Sequence, residues 1–159
     1  MTEGKNELEG IGGWLILVAI GVVFTPIRIA KFLLETYPPI FREGAWDALT
    51  TPGNDAYHPL LATIIGAEMV LNLLLLAASG ILLALFFSRK AAFPKWYIGI
   101  AVFSLVFIAL DAMAIKLVLP DEPMFDPETA SELIRSLVTV VIWVPYMLVS
   151  KRVKATFTR

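Results

Sequence analysis

The chain contains no cysteine and a single histidine, His58. Disulfides and thiolate nucleophiles are therefore excluded, and a zinc site of the usual cysteine and histidine kind has too few ligands. The one histidine, placed beside Pro59 at the outer end of the second span, gives no support for a Ser-His-acid arrangement. The glycines of "EGIGGW" (Gly10, Gly12, Gly13) lack the Lys-Ser/Thr that would complete a phosphate loop. Charge is scarce too: only 17% of residues are Asp, Glu, Lys or Arg, and the formal net charge is −1. Without a concentrated excess of Lys and Arg, nucleic acid is not an expected partner. These absences point to a non-enzymatic protein with no cofactor and no metal.

What the sequence has instead is apolar length. Of its 159 residues 58% are hydrophobic, and the mean hydropathy is +0.77, outside the range of soluble domains. Four segments reach the roughly 20 apolar residues needed to cross a bilayer, at about 11–33, 60–87, 97–119 and 131–149. The expected fold class is all-α: a polytopic membrane protein forming a single four-transmembrane-helix bundle. The first segment follows an acidic stretch and is too long for a cleaved leader, so it is read as a retained helix.

Orientation follows from Lys and Arg in short loops. The 88–96 loop carries Arg89, Lys90 and Lys95, and the 150–159 tail carries Lys151, Arg152, Lys154 and Arg159. The 34–59 loop has only Arg42, while the 120–130 loop and the start of the fourth span carry Asp121, Glu122, Asp126, Glu128 and Glu132. Both termini are therefore expected in the cytoplasm. The N-terminal Lys5 sits among Glu3, Glu7 and Glu9 and is uninformative alone. Trp14, Trp96, Tyr97 and Tyr146 fall near the inner boundary, and Tyr37, Trp46 and Tyr57 near the outer one, as interfacial belts.

Within the spans, "SLVFIALDAMAIKLVLP" carries Asp111 and Lys116. Asp111 and Glu68 each lie about eight residues, or roughly 12 Å, from the outer ends of their helices. Arg28, Lys31, Lys116 and Arg135 crown them from nearer those ends. Helical spacing puts Glu68, Asn72 and Ser79 on one stripe and Ser104 and Asp111 on another. Such stripes should face protein, because an intramembrane charge costs about 2.5–3.5 kcal/mol on insertion scales. Lys116 lies roughly 140° around the helix from Asp111, so Arg28 is the expected partner of that acid. Asn72 is expected to bond between helices. The seven residues Arg28, Lys31, Glu68, Asn72, Asp111, Lys116 and Arg135 form the candidate polar cluster.

The loops add punctuation. Pro38, Pro39, Pro52, Gly53 and Pro59 break the first outer loop around a segment, 40–49, that could lie as an interfacial helix. Asp126 before Pro127 reads as an N-cap with proline at the first helical position. Ala62 with Gly66 and Gly80 with Ala84 have the spacing of close helix contacts.

The opening "GIGGWLILVAIGVVFTPIR", the "FPKWY" before the third span and the ending "WVPYMLVSKRVKATFTR" resemble domain-of-unknown-function family 2569, small four-helix bacterial inner-membrane proteins. The ending, with Ser150, Arg152, Val153, Lys154, Thr156 and Phe157, is the most specific part. The resemblance implies a multi-pass protein of the bacterial inner membrane and supplies no activity. Physically, Lys151, Arg152 and Lys154 form a basic segment suited to anionic headgroups at about 1 kcal/mol per charge. The expected function is that of a non-enzymatic accessory or scaffold protein in the lipid bilayer, packing as a homo-oligomer or with another membrane protein. The alternatives are a small transporter or ion-conducting oligomer using Glu68 and Asp111, and an anionic-lipid-binding protein.

Overall fold

The structure, a computed structural model, describes residues 9–121 and 123–159. Glu3, Lys5, Glu7 and Glu122 lie outside the described residues. In lipid a backbone must satisfy its own hydrogen bonds, so long apolar runs become helices. Among the described residues six helices follow in order: α1 (Trp14–Arg42), α2 (Ala45–Thr50), α3 (Pro59–Phe87), α4 (Phe93–Val118), α5 (Pro127–Val149) and α6 (Lys151–Thr156). Four of them, α1, α3, α4 and α5, are long and apolar enough to cross a membrane. At 29 residues each, α1 and α3 extend about 43 Å and outrun the roughly 30 Å hydrocarbon layer.

The long helices pack in succession, α1 on α3, α3 on α4 and α4 on α5. Between α1 and α5 side chains make the contact: Trp14 meets Trp143 edge-on at 6.3 Å, and farther along Arg28 reaches Glu132. Most apolar side chains point outward, Leu117 at 81% exposure and Leu34 at 73% among them. A surface of that kind is stable only when lipid covers it. The chain is a multi-pass membrane protein.

Two ends can be distinguished. At the termini end α6 turns back over the bundle, with the Ser150 hydroxyl accepting from the Val153 N–H at 3.3 Å. Val153 and Phe157 join Leu15, Val18, Phe86, Phe93 and Met147 in the main core cluster. Phe157 stacks on Phe93 at 4.5 Å and lies 5.6 Å from Phe86. The Thr156 hydroxyl donates to the Gly10 carbonyl at 3.1 Å and accepts from its N–H at 3.2 Å. The Ala91 N–H donates to the Arg159 carbonyl, and the Arg159 N–H to that of Arg89. The "GIGGW", "FPKWY" and tail segments thus meet at one end of the bundle.

At the loop end, α1 continues through Pro38 and Pro39 to Arg42, where the Glu43 N–H donates to the Pro39 carbonyl at 2.9 Å. The sequence reading had these prolines breaking the chain. They are tolerated because the carbonyls they leave without donors, those of Leu34 and Glu35, belong to exposed residues near the membrane surface, where water can serve them. The 40–49 segment read as one interfacial helix is divided: 40–42 close α1, and a separate short helix, α2, is entered through Gly44 in the left-handed region (φ 79°). Its Trp46 packs on Phe41 at 5.2 Å and comes within 3.7 Å of where a Cβ on Gly66 would sit. Gly66 therefore receives an indole rather than a helix, and the space beside Gly80 is open.

The start of α5 follows the sequence: Asp126 caps it, accepting from the N–H groups of Glu128 (2.8 Å) and Thr129 (2.9 Å), with Pro127 first in the helix. The bond from the Thr129 backbone, with help from its hydroxyl, holds the Asp126 carboxyl below the usual aspartate range. A depressed folded-state pKa gives stability that is present above the ordinary aspartate value and is lost as pH falls through the depressed one. Asp126→Ala should therefore lower Tm at neutral pH. The difference from wild type should shrink as pH falls below about 4, and a gap that persists at pH 2.5 in melts followed by circular dichroism would contradict this.

Candidate functional site

Three helices place polar groups at membrane depth. Tyr37 on α1, Glu68 and Asn72 on α3, and Asp111 on α4 converge: the Tyr37 hydroxyl lies beside Glu68 and Asn72, and Glu68 and Asp111 are electrostatic neighbours. Tyr37 is only 5% exposed. Its hydroxyl is buried, and neither neighbour completes a hydrogen bond of standard geometry with it. Asn72 spends its amide on its own helix, donating from Nδ2 to the Glu68 carbonyl at 3.0 Å. Across the helix seam the same side chain approaches Tyr37 of α1, the kind of interhelical contact expected of it. Farther along the stripe, Ser79 is buried and donates to the Leu76 carbonyl at 2.7 Å.

The bases are engaged elsewhere. Arg28 donates from Nη1 to both carboxylate oxygens of Glu132 at 3.1 Å, which corrects the expected pairing with Asp111. The reason is that α5 begins early enough to bring Glu132 into its second turn, where it presents a carboxylate across the α1–α5 seam. Arg135 donates to the same carboxylate. Lys31 pairs with Glu35 at 3.7 Å on the exposed face of α1, and the Lys116 ammonium donates to the Pro120 carbonyl at the end of α4. Among the described residues, no base lies within ion-pair distance of Glu68 or Asp111. The seven-residue cluster expected from the sequence therefore divides in two: Glu68, Asn72 and Asp111 in the interior, and the four bases toward the loop end.

Tyr37 is the member sequence reasoning missed, having been assigned to the outer aromatic belt. The signal was the spacing of Val18, Val22, Leu33 and Tyr37, all buried on one face of α1, which continues past the assumed end of the helix. A second cavity feature lies on the loop side: a space of about 350 Å³ between α2 and α3, lined by Trp46, Tyr57, Ala62, Thr63 and Gly66 among others. Its lining on α3, Pro59, Ala62, Thr63 and Gly66, falls by helical spacing on the face opposite Glu68.

The basic tail also resolves into parts. Lys151 and Lys154 are exposed, whereas Arg152 is turned toward the glycines, its Nη1 2.9 Å from where a Cβ on Gly12 would stand. A glycine there lets the guanidinium lie against the backbone of the N-terminal turn. His58 caps α3, its Nδ1 accepting from the Leu61 N–H at 3.2 Å. Among the described residues, no three His, Cys, Asp or Glu side chains gather closely enough to share a metal ion.

The family described as "Protein of unknown function (DUF2569)" matches residues 8–158. No curated protein and no solved structure matches the chain.

Proposed function

Because the chain belongs to the DUF2569 family of proteins of unknown function, its activity has to come from its own geometry, and we propose that it is a small non-enzymatic transporter or ion-conducting protein of the bacterial inner membrane. In this reading both termini are cytoplasmic, and Glu68 and Asp111 together take up one proton or one monovalent cation. The observation that carries the proposal is a pair of membrane-depth carboxylates with no base at ion-pair distance among the described residues, beside a buried tyrosine hydroxyl that finds no hydrogen bond of standard geometry among them. Two neighbouring, half-buried carboxylates within membrane-spanning helices are costly, and intramembrane acids of this kind mark ion and proton sites. The oxygens on offer, from two carboxylates, a phenol and an amide, suit a hard cation.

The accessory or scaffold reading draws on the same observation if a second copy or another membrane protein brings a base to the two acids. Flux separates the two. In proteoliposomes, wild-type protein should carry protons or sodium above the empty-vesicle leak, with Asp111→Asn and Glu68→Gln each lowering the rate at least tenfold and Tyr37→Phe lowering it less. A wild-type rate equal to the leak, with a second membrane protein retained through purification in mild detergent, would replace transport by the accessory role.

A further inference from the structure

On the side of the bundle away from the α1–α5 seam, α3 and α4 part to leave a groove of about 450 Å³. Leu71, Leu74 and Ala78 line it from α3, and Lys95, Gly99 and Phe103 from α4. Both sets follow helical spacing, so the groove runs along the seam between the two helices. We propose that it holds one acyl chain of a phospholipid from the leaflet at the termini end, with the anionic headgroup on Lys95. This site is independent of the transport reading.

Length and charge identify the occupant. From Lys95 to Phe103 the groove runs eight residues, or about 12 Å, close to half of the ~30 Å hydrocarbon layer. Beyond Phe103 and Leu71 the helices carry the neighbouring pair Asp111 and Glu68, so the apolar lining is confined to one leaflet. A partner helix would cross both leaflets; a phospholipid occupies one. At the mouth, Lys95 is exposed and has no ion pair among the described residues. It stands in the first turn of α4, whose N-terminus has no side-chain cap. The Phe93 and Trp96 N–H groups already donate to the Lys90 and Ala92 carbonyls, so what a phosphate placed there meets is the ammonium and the positive end of the helix dipole. Trp96 beside it has the amphipathic character of an interfacial residue. Gly99 is open, with nothing within 4 Å of where a Cβ would sit, so the groove owes part of its depth to a missing side chain.

The openness at Gly99 supplies the test, because a leucine there fills the groove without colliding with the bundle. The full chain is equilibrated in mild detergent with equimolar phosphatidylglycerol and phosphatidylcholine and examined by native mass spectrometry. Wild type should retain one phosphatidylglycerol per chain, preferred at least fivefold over phosphatidylcholine. Lys95→Gln should bring the ratio close to one and Lys95→Arg should restore it, while Gly99→Leu should remove retention of both lipids. An unchanged ratio in Lys95→Gln overturns the headgroup assignment, and full retention in Gly99→Leu overturns the chain assignment. A lipid-free dimer that Gly99→Leu dissociates would overturn both and make the groove an interface between copies. Should Gly99→Leu fail to yield folded protein, the lysine series alone decides.

Discussion

Phe157→Ala should lower the melting temperature by roughly 10 °C, although the change falls only two residues before Arg159. Phe157 is 6% exposed and is stacked on Phe93 and close to Phe86, both fully buried. Removing a buried phenyl ring costs about 3–5 kcal/mol, which converts to several degrees or more at this chain length. The four long helices should keep their helicity, since lipid enforces it segment by segment; what is lost is the closure of the termini end. The comparison is Phe24→Ala, whose ring is 62% exposed and faces lipid. Melting followed by fluorescence-detected size exclusion in detergent should show a clear drop for the first and little for the second. Equal melting of the two variants would mean that the tail lies on the bundle without supporting it.

The second large effect concerns sidedness. Alkaline phosphatase joined after Arg159 should be inactive, and joined within the 51–57 loop it should be active, because Arg89, Lys90, Lys95, Lys151, Arg152 and Lys154 gather at the termini end against Arg42 in the outer loop. The fusion at the C-terminus needs a flexible linker. Arg159 pairs through its backbone with both Ala91 and Arg89, and a domain attached without slack would pull that contact apart. The reverse reporter pattern would turn the protein over in the membrane and exchange the two leaflets named above.

Much of the architecture could be read from the residues, because lipid imposes a simple rule: about 20 apolar residues make a helix. The Asp126–Pro127 start of α5 was legible for a local reason, since an N-cap and an N1 proline need no knowledge of the rest of the chain. The site was only half legible. Glu68, Asn72 and Asp111 stand out as polar residues in apolar runs, but which base meets which acid depends on how far each helix extends. Treating Pro38 and Pro39 as a stop removed Tyr37 from the interior. Grouping Glu132 with the loop acids concealed the partner that takes Arg28. In the tail, Val153, Thr156 and Phe157 recur at helical spacing and are all buried, but four surrounding bases made the segment read as a headgroup ligand.

The two ends of the bundle are fastened by different physics. At one, aromatic rings and paired backbone groups are locked together by burial. At the other, α1 and α5 are clasped by the Arg28–Glu132 pair, with side chains 50% and 37% exposed; an exposed pair of this kind contributes about 0.2–1 kcal/mol and weakens with salt. The molecule is therefore built like a pair of tweezers: a stiff pivot beside the termini and a light latch at the tips. Salt should therefore loosen the seam between α1 and α5 from the loop end first, where the latch is electrostatic, and leave the buried pivot intact.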